Sequence, residues 1–328
     1  MPELDKIFKA YDVRGVVPDE LDESVAEAAG AAFVRLTGAK TIVTLHDMRS
    51  TSEPLATALG RGAASQGANV IQGGLGSTDM AYYASGFLDI PGAMITASHN
   101  PAKYNGMKLC KTGAKPVGIE TGLAEIKLMV AAGVPAYDGE PGTVTSKDLL
   151  PGYAEYLKKL VDISGIRPLK VVVDAGNGMG GYTVPTVFEG LPITTVPLYF
   201  ELDGSFPNHE ANPIDPENLR DLQKAVRDNH ADIGLSVPLV YPFLLYLLVR
   251  MLLLAFGKGI PRRPLSTNVS ANWLMLGVVF LLALRIGLDV FNSNVIDVGY
   301  AGVIGAQRIS DGRALYGHYP SNNEHGDT

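Results

Sequence analysis

Cysteine occurs once in this 328-residue chain, at Cys110, and tryptophan once, at Trp273. A lone thiol makes no internal disulfide, which points to a reducing compartment. Positive charge is in deficit: 27 lysines and arginines stand against 34 acidic residues, a formal net charge of −7. With no basic tract either, the electrostatic footprint of a nucleic-acid binder is missing. The N-terminal stretch MPELDKIFKAYDVRG holds no apolar run of the kind that drives secretion. The first part of the chain is therefore expected in the cytoplasm. Low-complexity segments and repeats of solenoid period are lacking too. Charge itself runs short late in the chain: between Val237 and Phe256 the only charged side chain is Arg250.

What is present before residue 236 alternates helical and strand patterns. A helical pattern from Ser24 to Leu36 precedes the β-branched run KTIVTL at 40–45. A helix is expected over Glu53–Gln66, with strands at Ala68–Gln72 and Ala93–Thr96. Gly139–Gly142 reads as a linker, followed by a helix over Asp148–Val161. Strands are expected again at Lys170–Asp174 and Ile193–Leu198, and a helix at Pro216–Asn229, capped near Asp215. Strands alternating with helices argue for an α/β layer fold.

The chemistry concentrates in ITASHNPAKYNGMKL, residues 95–109. A strand ending at Thr96 leaves Ser98 and His99 on a loop at its C-terminal edge, where open α/β sheets place their ligands. The Asn100-Pro101 pair forces a turn. Lys108 follows closely enough to return to the same pocket. A serine beside a histidine and a lysine suits nucleophilic or phosphoryl chemistry; an exposed turn is the plain alternative. A second glycine-rich motif, Gly176, Gly178 and Gly181 with Glu201 about twenty residues on, fits the dinucleotide pattern. Pro185 interrupts the helix that such a site needs, which argues against it.

KAYDVRG (9–15), HDMRSTSEPLA (46–56), GSTDM (76–80), TASHNPAKYNGMKL (96–109) and VVVDAGNGMGG (171–181) occur in that order. Together they resemble the alpha-D-phosphohexomutase family, in particular its bacterial phosphomannomutase/phosphoglucomutase members. The resemblance implies a three-layer α/β domain over residues 1–140. A second α/β domain over 141–235 would be cut short before its metal-binding loop. It implies an isomerase that interconverts hexose 1-phosphate and hexose 6-phosphate through a phosphoserine and a bisphosphate intermediate. Ser98 would be the phosphoserine. His99 and Lys108 would shape the site and assist proton transfer. Tyr11 and Arg14 would lie on a loop that reaches the site; a loop with an ordinary salt bridge is the plain alternative. Asp47 and Arg49 read as an intradomain ion pair. Hexose phosphates are the implied ligands and Mg2+ the implied cofactor, meeting Ser98 through a phosphate oxygen.

The resemblance stops at Leu235. In the family the next segment is an aspartate-rich loop of the form DGDxDR that holds the magnesium; here SVPLVYPF follows, with no D-x-D-x-D pattern beyond it. On this reading the metal-, sugar- and phosphate-binding loops are missing and the chain is an inactive mutase. Residues 237–256 and 272–291 are each about long enough to cross a bilayer. They predict a transmembrane hairpin and membrane localisation for residues 236–328. The segment DVGYAGVIGAQRISDGRALYGHYP (297–320) loosely resembles an outer loop of polytopic membrane glycosyltransferases. Asp297 would be its acid or base. A chimera of two gene fragments would account for both halves.

Overall fold

The computed structural model describes residues 3–160, 165–212 and 215–236. The expected spans at 237–256 and 272–291, Asp297 and the glycosyltransferase-like segment lie outside these residues. Among the described residues no helix is long and apolar enough to cross a membrane.

The first sheet is built from β1 (Val13–Val16), β2 (Thr41–His46), β3 (Asn69–Leu75), β4 (Gly92–Ile95), β5 (Tyr104–Lys111), β6 (Lys115–Pro116) and β7 (Val144–Ser146). Its order is β1-β5-β4-β2-β3-β7, with β6 pairing β5. Strands β4, β2, β3 and β7 run parallel, whereas β5 is antiparallel to both β4 and β1. After the short α1 (Leu4–Ile7) come α2 (Glu23–Thr37), α3 (Ser52–Ser65), α4 (Thr78–Leu88), α5 (Leu123–Ala132) and α6 (Leu150–Leu160).

Alternation along the strands divides the core. Ile42, Val70, Ile95 and Met107 pack with Phe33, Leu59 and Ile126 from α2, α3 and α5. Val43, Leu45 and Met94 face the other way, onto Met80 of α4 and Leu150 and Tyr153 of α6. The outcome is a sheet covered on both faces, as the parallel strands require. Strand β7 extends this sheet, and helix α6 packs on it and also on Tyr182 and Val187.

Helix α2 starts where Asp22 accepts a hydrogen bond from the Val25 amide, and it stops at Gly38 with φ 62°. It crosses α3 at two glycines. A Cβ on Gly30 would sit 2.0 Å from the Leu59 carbonyl oxygen, and one on Gly62 1.9 Å from that of Glu27.

The second sheet is β8 (Leu169–Asp174), β9 (Ile193–Leu198) and β10 (Ile233–Ser236), in the order β10-β8-β9, all parallel. Helices α7 (Gly180–Phe188) and α8 (Arg220–Asp228) complete it. The helix expected over Pro216–Asn229 opens instead as a 3-10 turn, Pro216–Leu219, capped by Asp215. In the glycine turn after β8, a Cβ on Gly181 would lie 2.0 Å from the Phe200 carbonyl oxygen. That glycine permits close packing of α7, and Pro185 lies within the helix rather than interrupting it.

Candidate active site

Ser98 sits on the hairpin between β4 and β5, at the C-terminal edge of the first sheet. Its φ is 52°, in the left-handed region. For a residue with a Cβ this conformation costs on the order of 1–3 kcal/mol and persists only where neighbours enforce it.

Two buried charged residues do so. Asp47, just past β2, accepts from Ser52 Oγ at 2.5 Å and from the Arg49 amide at 3.1 Å through Oδ1. Its Oδ2 accepts from Thr96 Oγ1 at 2.6 Å, and that hydroxyl in turn accepts from the Ser98 amide at 2.9 Å. Arg49 donates to the carbonyls of Pro101 and Tyr104 through Nη1, at 3.0 and 3.1 Å. Through Nη2 it donates to the carbonyls of Ser98 and Asn100, at 2.9 and 2.8 Å. Its Nε lies 3.3 Å from Asp47 Oδ2. Burial draws the guanidinium below its ordinary pKa, and the Asp47 charge opposes that. The ion pair expected between Asp47 and Arg49 is therefore present, but the guanidinium spends most of its hydrogen bonds on the serine loop.

Arg14 is on β1, rather than on the loop expected, and Lys108 is on β5. Pairing of β1 with β5 brings them to one carboxylate. Asp12 Oδ2 lies 2.6 Å from Arg14 Nη2 and 3.0 Å from Lys108 Nζ. Two cations against one anion leave a net positive corner beside the hairpin. Arg14 Nε is buried and without a hydrogen-bond partner among the described residues. Such an orphan donor fits an anionic oxygen. His99 is exposed next to Ser98, and Tyr11 is 63% exposed. Sequence reasoning passed over Asp12 and Thr96, although both stand inside the quoted motifs.

A phosphoserine adds about −1.5 to −2 charge, which this corner suits. A magnesium centre needs oxygen ligands free to bind. Here Asp12 is taken by Arg14 and Lys108, and Asp47 by Arg49, Ser52 and Thr96. Among the described residues no three acidic, histidine or cysteine side chains cluster as a metal site. The residues in view do not by themselves fit Mg2+.

Residues 5–133 match the family described as phosphoglucomutase/phosphomannomutase, alpha/beta/alpha domain I, and residues 151–237 match its alpha/beta/alpha domain II. A protein named "Phosphohexose mutases" from Xanthomonas campestris pv. campestris is 42% identical over 231 residues, 70% of this chain and 51% of that protein. A phosphomannomutase from Escherichia coli is 38% identical over 238 residues, 70% of this chain and 52% of its own. A crystal structure of a phosphoglucomutase/phosphomannomutase family protein from Burkholderia thailandensis superposes with a TM-score of 0.64 at 32% identity. It covers 71% of this chain and 52% of that one. The chain spans about half the length of the curated relatives it matches.

Proposed function

Since residues 5–133 and 151–237 belong to the phosphohexomutase family as its domains I and II, we propose that Ser98 accepts and returns a phosphoryl group of a hexose phosphate. The observation that carries this reading is Ser98 held at φ 52° on a hairpin that Arg49 ties down at four carbonyls. Starting from phosphorylated Ser98, an O–P bond to one hydroxyl of the hexose phosphate forms as the Oγ–P bond breaks, and that hydroxyl's proton passes to the departing Oγ, which leaves the bisphosphate. Ser98 Oγ then bonds the phosphorus at the other position as that sugar O–P bond breaks, its proton passing to the freed sugar oxygen, and the exchange of 1-phosphate and 6-phosphate is complete. His99, beside Ser98, and Lys108 serve the proton transfer. Arg14 and Lys108 supply positive charge, and Tyr11 belongs to the substrate-facing segment. Phosphoryl transfer asks for little more than positioning and charge neutralisation.

Turnover is a separate matter. Magnesium supplies charge neutralisation in this family, and the segment expected to hold it is replaced after β10 by residues of another kind, VPLVYPF. Loss of such a metal removes several kcal/mol of transition-state stabilisation. The full chain is therefore expected to run a coupled assay with glucose 1-phosphate or mannose 1-phosphate at least about a hundredfold below a full-length relative. Ser98→Ala is expected to abolish whatever rate remains. Turnover equal to the relative's would refute the metal-loop argument, and an unchanged rate in Ser98→Ala would refute Ser98 as the acceptor.

A second reading rests on Val237–Phe256, where Arg250 is the sole charge: the C-terminal part anchors the chain to a membrane, and the mutase part is a passenger of a fusion.

A further inference from the structure

The segment from Tyr199 to Asn212 is fixed at its base by the second sheet and rests at its tip on the first. At the base, the Asn177 amide donates to the Tyr199 carbonyl at 2.8 Å, and the Asp203 amide donates to the Asn177 carbonyl at 3.0 Å. Asn177 Nδ2 donates to the Glu201 carbonyl at 3.0 Å, and Asn208 Nδ2 donates to Asn177 Oδ1 at 2.8 Å. His209 Nε2 lies 3.0 Å from Asp174 Oδ2 at the end of β8. At the tip, Gly204 approaches Arg49 so closely that a Cβ would stand 2.7 Å from the Arg49 Cα. The Phe206 ring covers the Arg49 guanidinium, with 5.0 Å from Cζ to the ring centroid.

The geometry of a guanidinium gives that ring a purpose. All its N–H bonds lie in one plane. Four of them reach the carbonyls of Ser98, Asn100, Pro101 and Tyr104, and Nε faces Asp47. Four of the five edge donors are hydrogen-bonded, Nε has only the Asp47 charge beside it, and the flat faces remain to be covered. Phe206 covers one and adds an attraction between cation and ring that grows when water is excluded. A tilt of the plane would break bonds on both sides of Ser98 at once.

We propose that Arg49 and Phe206 are positioning residues for Ser98, so that the second domain sets the conformation of the serine loop through the face of one buried arginine. This rests on Ser98 as the phosphoryl acceptor, and it extends that reading to residues that never touch substrate. The contact also gives the glycine turn after β8 a role, since Asn177 of that turn aims the segment bearing Phe206.

The test uses the full chain and two readouts. Hydrogen–deuterium exchange is followed by mass spectrometry for peptides covering 97–106 and, as a control, 26–34 in α2. Phosphate at Ser98 is timed after adding glucose 1,6-bisphosphate. Phe206→Ala is expected to speed exchange in 97–106 by about tenfold, the factor carried by a desolvated cation–ring contact, and to leave 26–34 unchanged. The rate of Ser98 phosphorylation at saturating donor falls by about ten- to a hundredfold, as misplacement of a reacting group does. The half-saturating donor concentration stays the same. Phe206→Leu, which keeps the apolar cover, restores most of both. Arg49→Lys, which keeps the charge and loses the planar fork, loosens the same peptide. Exchange in 97–106 at the wild-type rate in Phe206→Ala and Arg49→Lys overturns the proposal, as does equal loosening of both peptides. If the wild-type chain takes no phosphate at Ser98, the proposed function fails and the exchange data alone decide the positioning role.

Discussion

Burial pushes the Asp79 carboxyl, in the first turn of α4, up to about 7. The folded state keeps this proton up to that value, whereas an ordinary aspartate releases it near 3.8. The folded state thus binds more protons between those values, and stability falls as pH rises through the window. Partial exposure and the positive end of α4 limit the effect to about 1–3 kcal/mol. Asp79→Asn is expected to match the wild type in urea unfolding near pH 4 and to be more stable by that amount at pH 7.5. At the same scale, reading the sequence finds Ser98, Lys108 and Arg14 because each is a reactive or cationic residue inside a short motif. It reduces Arg49 to an ion pair because the carbonyls it grips are 49 to 55 residues away. Phe206 carries no signal at all, since one aromatic in a loop has no period to betray it.

Among the elements, α2, α3, α6, α8 and the parallel strands β2, β3, β4, β8 and β9 are legible, whereas α1, α4, α5, α7, β7 and the antiparallel β1 and β5 are not. The apolar spacing of α2 and α3 and the β-branched runs of β2 and β8 announce themselves to within a residue or two. Strand β1 has only four residues, and β5 reads as a loop because its glycine, lysine and asparagine dilute the alternation of Met107 and Leu109. The pairing that brings Arg14 and Lys108 to Asp12 is non-local, so no window of sequence contains it. The approach of α2 to α3 has the same origin. Gly62→Ala puts a methyl group 1.9 Å from the Glu27 carbonyl oxygen, where overpacking costs about 1–3 kcal/mol or more. Thermal unfolding is expected to drop by several degrees, about 2–8 °C per kcal/mol for domains of ordinary size. A midpoint equal to the wild type's would show that the two helices part at no cost.

Over the whole chain, the family match covers residues 5–133 and 151–237. The proposed membrane anchor has a direct check: if it exists, alkaline carbonate extraction of cells making the full chain leaves it in the membrane pellet, and recovery in the supernatant refutes it. The contact of Phe206 with Arg49 joins segments that share no motif, so no single stretch of sequence announces it. The hairpin bearing Ser98 has a further consequence, for how the chain can change in length. Arg49 measures the tip, since its four carbonyls must stay where they are. The pairing of β5 with β4 and β1 measures the strand, since a shift of one residue turns Lys108 inward and Met107 out. Insertions and deletions are thus barred from Ser98 to Lys108, exposed Ala102 and Lys103 included, because the Tyr104 amide donates to the Pro101 carbonyl and the Val17 amide to the Lys103 carbonyl, each at 3.0 Å. A gain or loss of one residue in that stretch would cost the nucleophile its place or its cation.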